Sequence, residues 1–127
     1  MQMIFIFFNY KPSLVIIAPF NFPIEIPLLQ LLGALFMGNK VCLKVDSKVS
    51  VVMEQALRLL HACGMPLSDV DFINTDGPTM HKFLLKAAPR MTLFTGSSPV
   101  AEVLARELHG KIKIEDAGWD WKVSTLQ

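Results

Sequence analysis

The residues of this chain best suited to bind a charged ligand lie at Phe94-Thr95-Gly96-Ser97-Ser98-Pro99. There the apolar run Met91 to Gly96 gives way to a helical pattern of Val100, Val103, Leu104 and Leu108. An extended run, a glycine turn and a new helix predict a strand-turn-helix unit. Ser98 is placed to cap the helix and Pro99 to take its first position, where a missing N–H is no loss. The free N–H groups and positive dipole end of such a helix attract phosphate or another anion, so this turn is the leading nucleotide candidate. Glycine at a strand-to-helix turn also serves backbone geometry alone, and the flanking sequence has to decide between the two.

Such a turn needs a sheet to deliver it. Leu14 to Ala18 is an apolar run closed by Pro19. Pro23 and Pro27 then bracket the opening of a helix-compatible stretch, Ile24 to Met37, that stops at Gly38-Asn39. Lys40 to Val45 predicts a second short strand. Val49, Val52, Met53, Ala56, Leu57, Leu60 and Cys63 recur at helical spacing until Gly64 and Pro66 end the pattern. Val70 to Asn74 predicts a third strand, Asp76-Gly77-Pro78 a turn, and Met80, Phe83, Leu84 and Ala87 a helix that Pro89 terminates. After Gly110, Lys111 to Asp116 alternates as a fifth strand with one solvated face. Strand and helix thus alternate on short connections, which predicts an α/β fold, an open Rossmann-like parallel sheet with helices on both faces. Ligands of such sheets bind outside the carboxyl ends of the strands. Here those ends carry Pro19 to Pro23, Lys44 to Ser47, Gly77, Thr95 to Ser98 and Glu115-Asp116.

The 127 residues suit one domain with a real core. A hydrophobic content of 52% and a mean hydropathy of +0.43 predict strands buried on both faces, or surface awaiting a partner. A net charge of +1, with no basic stripe and interleaved aromatics, argues against nucleic acid. Cys42 and Cys63 are too few and too scattered for a disulfide framework or a zinc site, so no metal is expected. Asn9, Lys11, Pro19, Asn21, Pro23 and Glu25 interrupt the apolar stretches before any reaches membrane-spanning length. The opening residues lack both the basic start of a secretory signal and the Arg and Ser of a mitochondrial presequence. Ile4 to Phe8 is a β-prone run that aggregates if left uncovered.

Four motifs, Ala-Pro-Phe-Asn-Phe-Pro (18 to 23), Gly-Asn-Lys-Val-Cys-Leu-Lys (38 to 44), Phe-Thr-Gly-Ser-Ser (94 to 98) and Ile-Glu-Asp-Ala-Gly (114 to 118), together resemble the NAD-dependent aldehyde dehydrogenase family. The likeness runs from Leu14 to Val123. Its details look most like the plant-type branch that oxidises glutamate semialdehyde to glutamate in proline breakdown. The resemblance implies NAD as cofactor, a small aldehyde as substrate and a mitochondrial location. By the same resemblance, Asn21 helps to hold the oxyanion of the tetrahedral intermediate, donating a hydrogen bond without titrating. Glu115 matches the general base that activates water for hydrolysis of the acyl-enzyme, a task suited to a partly buried carboxylate. Pro19 and Phe20 fall among the cofactor-binding positions, and Lys44 matches a lysine contacting the adenosine ribose. Ser47 stands where the family often has a ribose-binding glutamate, with Asp46 one residue earlier. Gly77 matches a glycine on the adenine side, Phe94, Thr95, Gly96 and Ser97 the pyrophosphate turn, and Val100 a residue packed near the adenine. Ala101 replaces a family glycine, Glu102 sits in the first turn of the same helix, and Asp116 adds a second carboxylate beside Glu115.

The family's cysteine nucleophile forms a thiohemiacetal with the aldehyde. It matches neither Cys42 nor Cys63 and falls past the position of Gln127. The resemblance therefore predicts an internal piece of a dehydrogenase, inactive alone. Residues 1–12 are an extension outside the family pattern, 13–123 a partial NAD-binding domain and 124–127 a tail. The alternative is a non-catalytic fragment that binds nucleotide or docks on full-length dehydrogenase subunits through uncovered faces.

Overall fold

The computed structural model describes residues 13–116. Strands and helices alternate in the order β1 (Leu14–Ala18), α1 (Glu25–Phe36), β2 (Val41–Val45), α2 (Ser50–Ala62), β3 (Val70–Phe72), α3 (Gly77–Ala87), β4 (Met91–Gly96), α4 (Ser98–Glu107) and β5 (Ile112–Asp116). Every pairing is parallel and the sheet order is β3-β2-β1-β4-β5. The α/β sheet expected from the sequence is thus present. β1 reads as an unbroken apolar run and β2 is apolar apart from Lys44 near its end, because both faces of these strands are covered; Val15, Ile16, Val41 and Leu43 are wholly buried.

The chain steps outward from β1 to β2 to β3, returns across β1 to β4, and continues to β5. Crossovers of one hand then require α1 and α2 on one face and α3 and α4 on the other. The core divides accordingly. Leu31 and Ala34 of α1 and Met53 and Leu57 of α2 pack with Ile16, Leu43 and Val45. Met80 and Leu84 of α3 and Ala101 and Leu104 of α4 pack with Val15, Cys42 and Phe94. The reversal of direction lies between β1 and β4, so the crevice of this sheet opens above those two strands.

Three local expectations are corrected. The N-cap of α4 is Ser97, not Ser98. The backbone stays extended at Ser97 (φ −77°, ψ 142°), whose carbonyl accepts from the amide of Ala101 at 3.0 Å. Pro99 is accordingly the second helical residue, and Glu102 falls beyond a first turn that holds no acid. β3 ends at Phe72 rather than Asn74. Ile73 still donates its amide to the carbonyl of Leu43 at 2.8 Å, but Asn74 turns away and its Nδ2 donates to Ser50 Oγ at 3.2 Å. β5 pairs with β4 over its whole length, yet Ile114, expected on its covered face, is 39% exposed. The aggregation-prone Ile4 to Phe8, the residues Ala117 and Gly118, and the proposed terminal segments 1–12 and 124–127 lie outside the described residues.

Candidate functional site

The strands deliver the candidate residues to one edge. Pro19, Phe20 and Asn21 follow β1, Lys44 is the penultimate residue of β2, and Ser47 lies just past it. Gly77 opens α3, Thr95 and Gly96 close β4, Ser97 caps α4, Val100 lies in its first turn, and Glu115 stands opposite Thr95 in β5.

Alternation along the strands sorts these side chains between the two faces. Lys44 shares its face with Cys42, toward α3 and α4, and its charge reaches Asp76 at the start of α3. Thr95 faces α1, where its Oγ1 accepts from Nε2 of Gln30 at 3.2 Å. Glu115, the register partner of Thr95, shares that face; Asp116, paired with Gly96, takes the opposite one. The second carboxylate therefore points away from the first. Nucleotide candidates (Lys44, Gly77 and Val100) gather on the α3/α4 side, while Glu115 lies on the side of α1, whose entry loop holds Asn21.

The two helix starts on the α3/α4 side differ. At α3, Asp76 Oδ1 accepts from the amide of Thr79 at 2.7 Å. Hydrogen bonding with Thr79 holds the Asp76 carboxyl below its ordinary range, helped by Lys82 and Lys44. At α4, Ser97 makes no side-chain cap, so this positive end is not neutralised by a carboxylate of its own. Gly96 has a packing reason. A Cβ there would stand 2.7 Å from Cζ of Phe94, whose buried ring folds back over the turn. Gly77 has no such reason, since a Cβ there meets nothing within 4 Å. The bare backbone of Gly77 and the exposed Val100 and Val103 leave room for a flat ligand on this side, which fits a nucleotide.

Other candidates are less enclosed. Asn21, Ser47 and Glu115 are exposed, so the partial burial expected for Glu115 is not supplied by the described residues. Phe20 is exposed on the edge with Nζ of Lys48 5.0 Å from its ring centre. Asp46 serves the turn into α2, its Oδ1 accepting from the amide of Lys48 at 2.9 Å, rather than standing free for a ribose. The methyl of Ala101 packs into the core against the sheet. Cys42 is buried in β2, and burial, with the charge of Asp71 adding to it, pushes its thiol up to about 12. A thiol so placed is not a nucleophile at neutral pH. Cys63 is exposed at the far end of α2, at the opposite edge of the sheet.

Gln30 is the residue that sequence reasoning missed. Its Oε1 is buried without a partner while its amide holds Thr95. The available signal was an amide set within the otherwise apolar stretch Pro27 to Ala34. A groove of about 460 Å³ between α1 and α2 is lined by Ile24, Leu28, Val52, Ala56, Leu59 and Leu60, and contains none of the candidates. Among the described residues no helix is long and apolar enough to cross a membrane, and no group of side chains is arranged to hold a metal ion.

Residues 6–116 match the aldehyde dehydrogenase family. A mitochondrial delta-1-pyrroline-5-carboxylate dehydrogenase of Arabidopsis thaliana is 73% identical over 108 residues, which cover 85% of this chain and 19% of that protein. The crystal structure of a bifunctional proline utilization A protein superposes with a TM-score of 0.76 at 32% identity, over 83% of this chain and 11% of the other. A NAD-dependent benzaldehyde dehydrogenase from Corynebacterium glutamicum gives 0.74 at 25% identity, over 83% of this chain and 24% of that one. The chain thus spans about a fifth of the length of the curated relatives it matches.

Proposed function

The chain belongs to the aldehyde dehydrogenase family, and from that premise we propose that it carries the cofactor half of a NAD-dependent oxidation of glutamate semialdehyde, or its cyclic form 1-pyrroline-5-carboxylate, to glutamate. The observation that carries the reading is the division of the carboxyl edge into a nucleotide side and a catalytic side, which meet above β1 and β4. The Ser97 turn and the α4 start would hold the pyrophosphate, Lys44 the ribose, and Gly77 and Val100 the adenine. NAD, when bound, supplies the hydride acceptor. Asn21 donates its amide to the developing oxyanion, and Glu115 takes a proton from the water that hydrolyses the acyl-enzyme. Neither Cys42 nor Cys63 can supply the nucleophile, so the chain alone does not turn over aldehyde. A mitochondrial location is part of the same proposal.

Calorimetry with NAD tests it. Saturable binding should weaken about tenfold or more in Ser97→Glu, which places a carboxylate where the pyrophosphate would lie. A folded chain that ignores NAD would reduce the reading to ancestry, and NADH formation by this chain alone would overturn its predicted inactivity.

A second reading rests on the apolar outer surface of α1 and α2, where Leu29, Phe36 and Leu59 are 72%, 88% and 64% exposed. It takes the chain as a non-catalytic fragment that docks on full-length dehydrogenase subunits. Co-purification with such a subunit, lost in Leu29→Lys, is its test.

A further inference from the structure

His81 Nε2 and Glu107 Oε2 lie 2.6 Å apart and tie the second turn of α3 to the last turn of α4. Helical spacing puts His81 on the same face as Gly77, four residues before it, and Glu107 on the same face as Val103 and Val100, four and seven residues before it. At about 1.5 Å per residue, His81 lies about 6 Å along α3 and Glu107 about 13 Å along α4, each counted from its helix start. With the two helices running the same way and bridged at those points, the start of α4 stands beyond the start of α3 by roughly one turn. The bare backbone of Gly77 then forms a shelf, with the exposed Val103 level with it and the exposed Val100 above it as a wall.

We propose that the His81–Glu107 bridge is a positioning pair that sets the axial offset of α3 against α4 and so shapes the ledge for the nucleotide's base. The inference rests on the nucleotide reading above and adds to it two residues that need not touch the ligand. Both side chains are partly exposed, at 32% and 39%, so removing them spares the core.

The test is calorimetry of the 127-residue chain with AMP and with NAD, in wild type, His81→Ala, Glu107→Ala, the double variant and His81→Gln. Each alanine variant should weaken both ligands about threefold, and the double variant no more than either single, because one interaction is lost in all three. His81→Gln, whose amide still donates to Glu107, should stay within about twofold of wild type. Losses that multiply in the double variant, a loss shared by His81→Gln, or affinities unchanged in every variant would each overturn the positioning role while leaving nucleotide binding intact. A wild type that binds neither ligand removes the nucleotide reading itself, and this inference with it.

Discussion

The two faces of the sheet are finished differently. Toward α3 and α4 the surface carries polar devices: Asp76 capping α3, Lys44 close to that carboxylate, and the His81–Glu107 bridge. Toward α1 and α2 the outer surface is richer in large apolar groups, with Leu29, Phe36, Val51 and Leu59 exposed beside the Glu54–Arg58 ion pair and a groove between the helices. Inside, each face has its own buried core. The difference therefore lies in the outer surfaces, which on the two readings proposed above suit water and a polar ligand on one side and an apolar partner on the other.

The strongest way to break this comparison is to show that the two cores are unequal. Leu31→Ala beneath α1 and Leu84→Ala beneath α3 remove side chains that are 0% and 1% exposed. Each should lower unfolding free energy by about 2–5 kcal/mol in a denaturant titration. A cost confined to one face would show that the other is not a core.

Gly96→Ala comes next. Its methyl cannot coexist with the Phe94 ring at 2.7 Å, so either the ring leaves the core or the turn shifts. A loss of about 1–3 kcal/mol and weaker NAD binding are expected together, and shrinking the neighbour in Gly96→Ala/Phe94→Leu should recover part of both. Leu29→Lys with Leu59→Lys then sharpens the contrast. Stability should change by no more than about 0.5 kcal/mol for each exposed site, while self-association, followed by light scattering, falls.

The smallest effects are electrostatic and have opposite signs. Asp76 titrates below its ordinary value in the folded chain, so its contribution is present above the unfolded carboxyl range and is lost as pH falls through the folded value. Asp76→Ala should flatten the acid limb of the stability curve. Asp71 is raised, first by burial, so its ionised form opposes folding and its share of stability grows as pH falls. Asp71→Asn should raise the melting temperature at neutral pH by about 2 °C or less.

Legibility in the sequence followed the range of the interactions. α2 was readable because Val52, Met53, Ala56 and Leu57 repeat on one face, and that repeat is itself what buries the helix. The carboxyl-edge placement of Lys44, Thr95 and Glu115 followed from strand-helix alternation alone. The sequence places the cap of α4 one residue late, at Ser98, because adjacent serines both suit a cap and only backbone torsion chooses Ser97. Ile114 alternates as a half-buried residue should and shares its face with Ile112, which packs against the α3/α4 core, but that cover thins along the strand and leaves Ile114 39% exposed. Gln30 and Thr95 are 65 residues apart, and His81 and Glu107 26, so no local pattern links them.

The placement of β4 beside β1 also bears on how the chain folds as it is synthesised. β1, α1, β2, α2 and β3 can associate through near neighbours in sequence and bury one face among themselves. Val15 and Cys42 point the other way and have no cover until Met80 and Leu84 of α3 and Leu104 of α4 have been made. The β1–β4 pairing joins residues more than seventy positions apart, from Leu14 with Met91 to Ile17 with Phe94, and it is the slow, long-range step. Until it closes, the nascent chain presents an apolar sheet face to its surroundings, and this is the interval in which a chaperone would be needed.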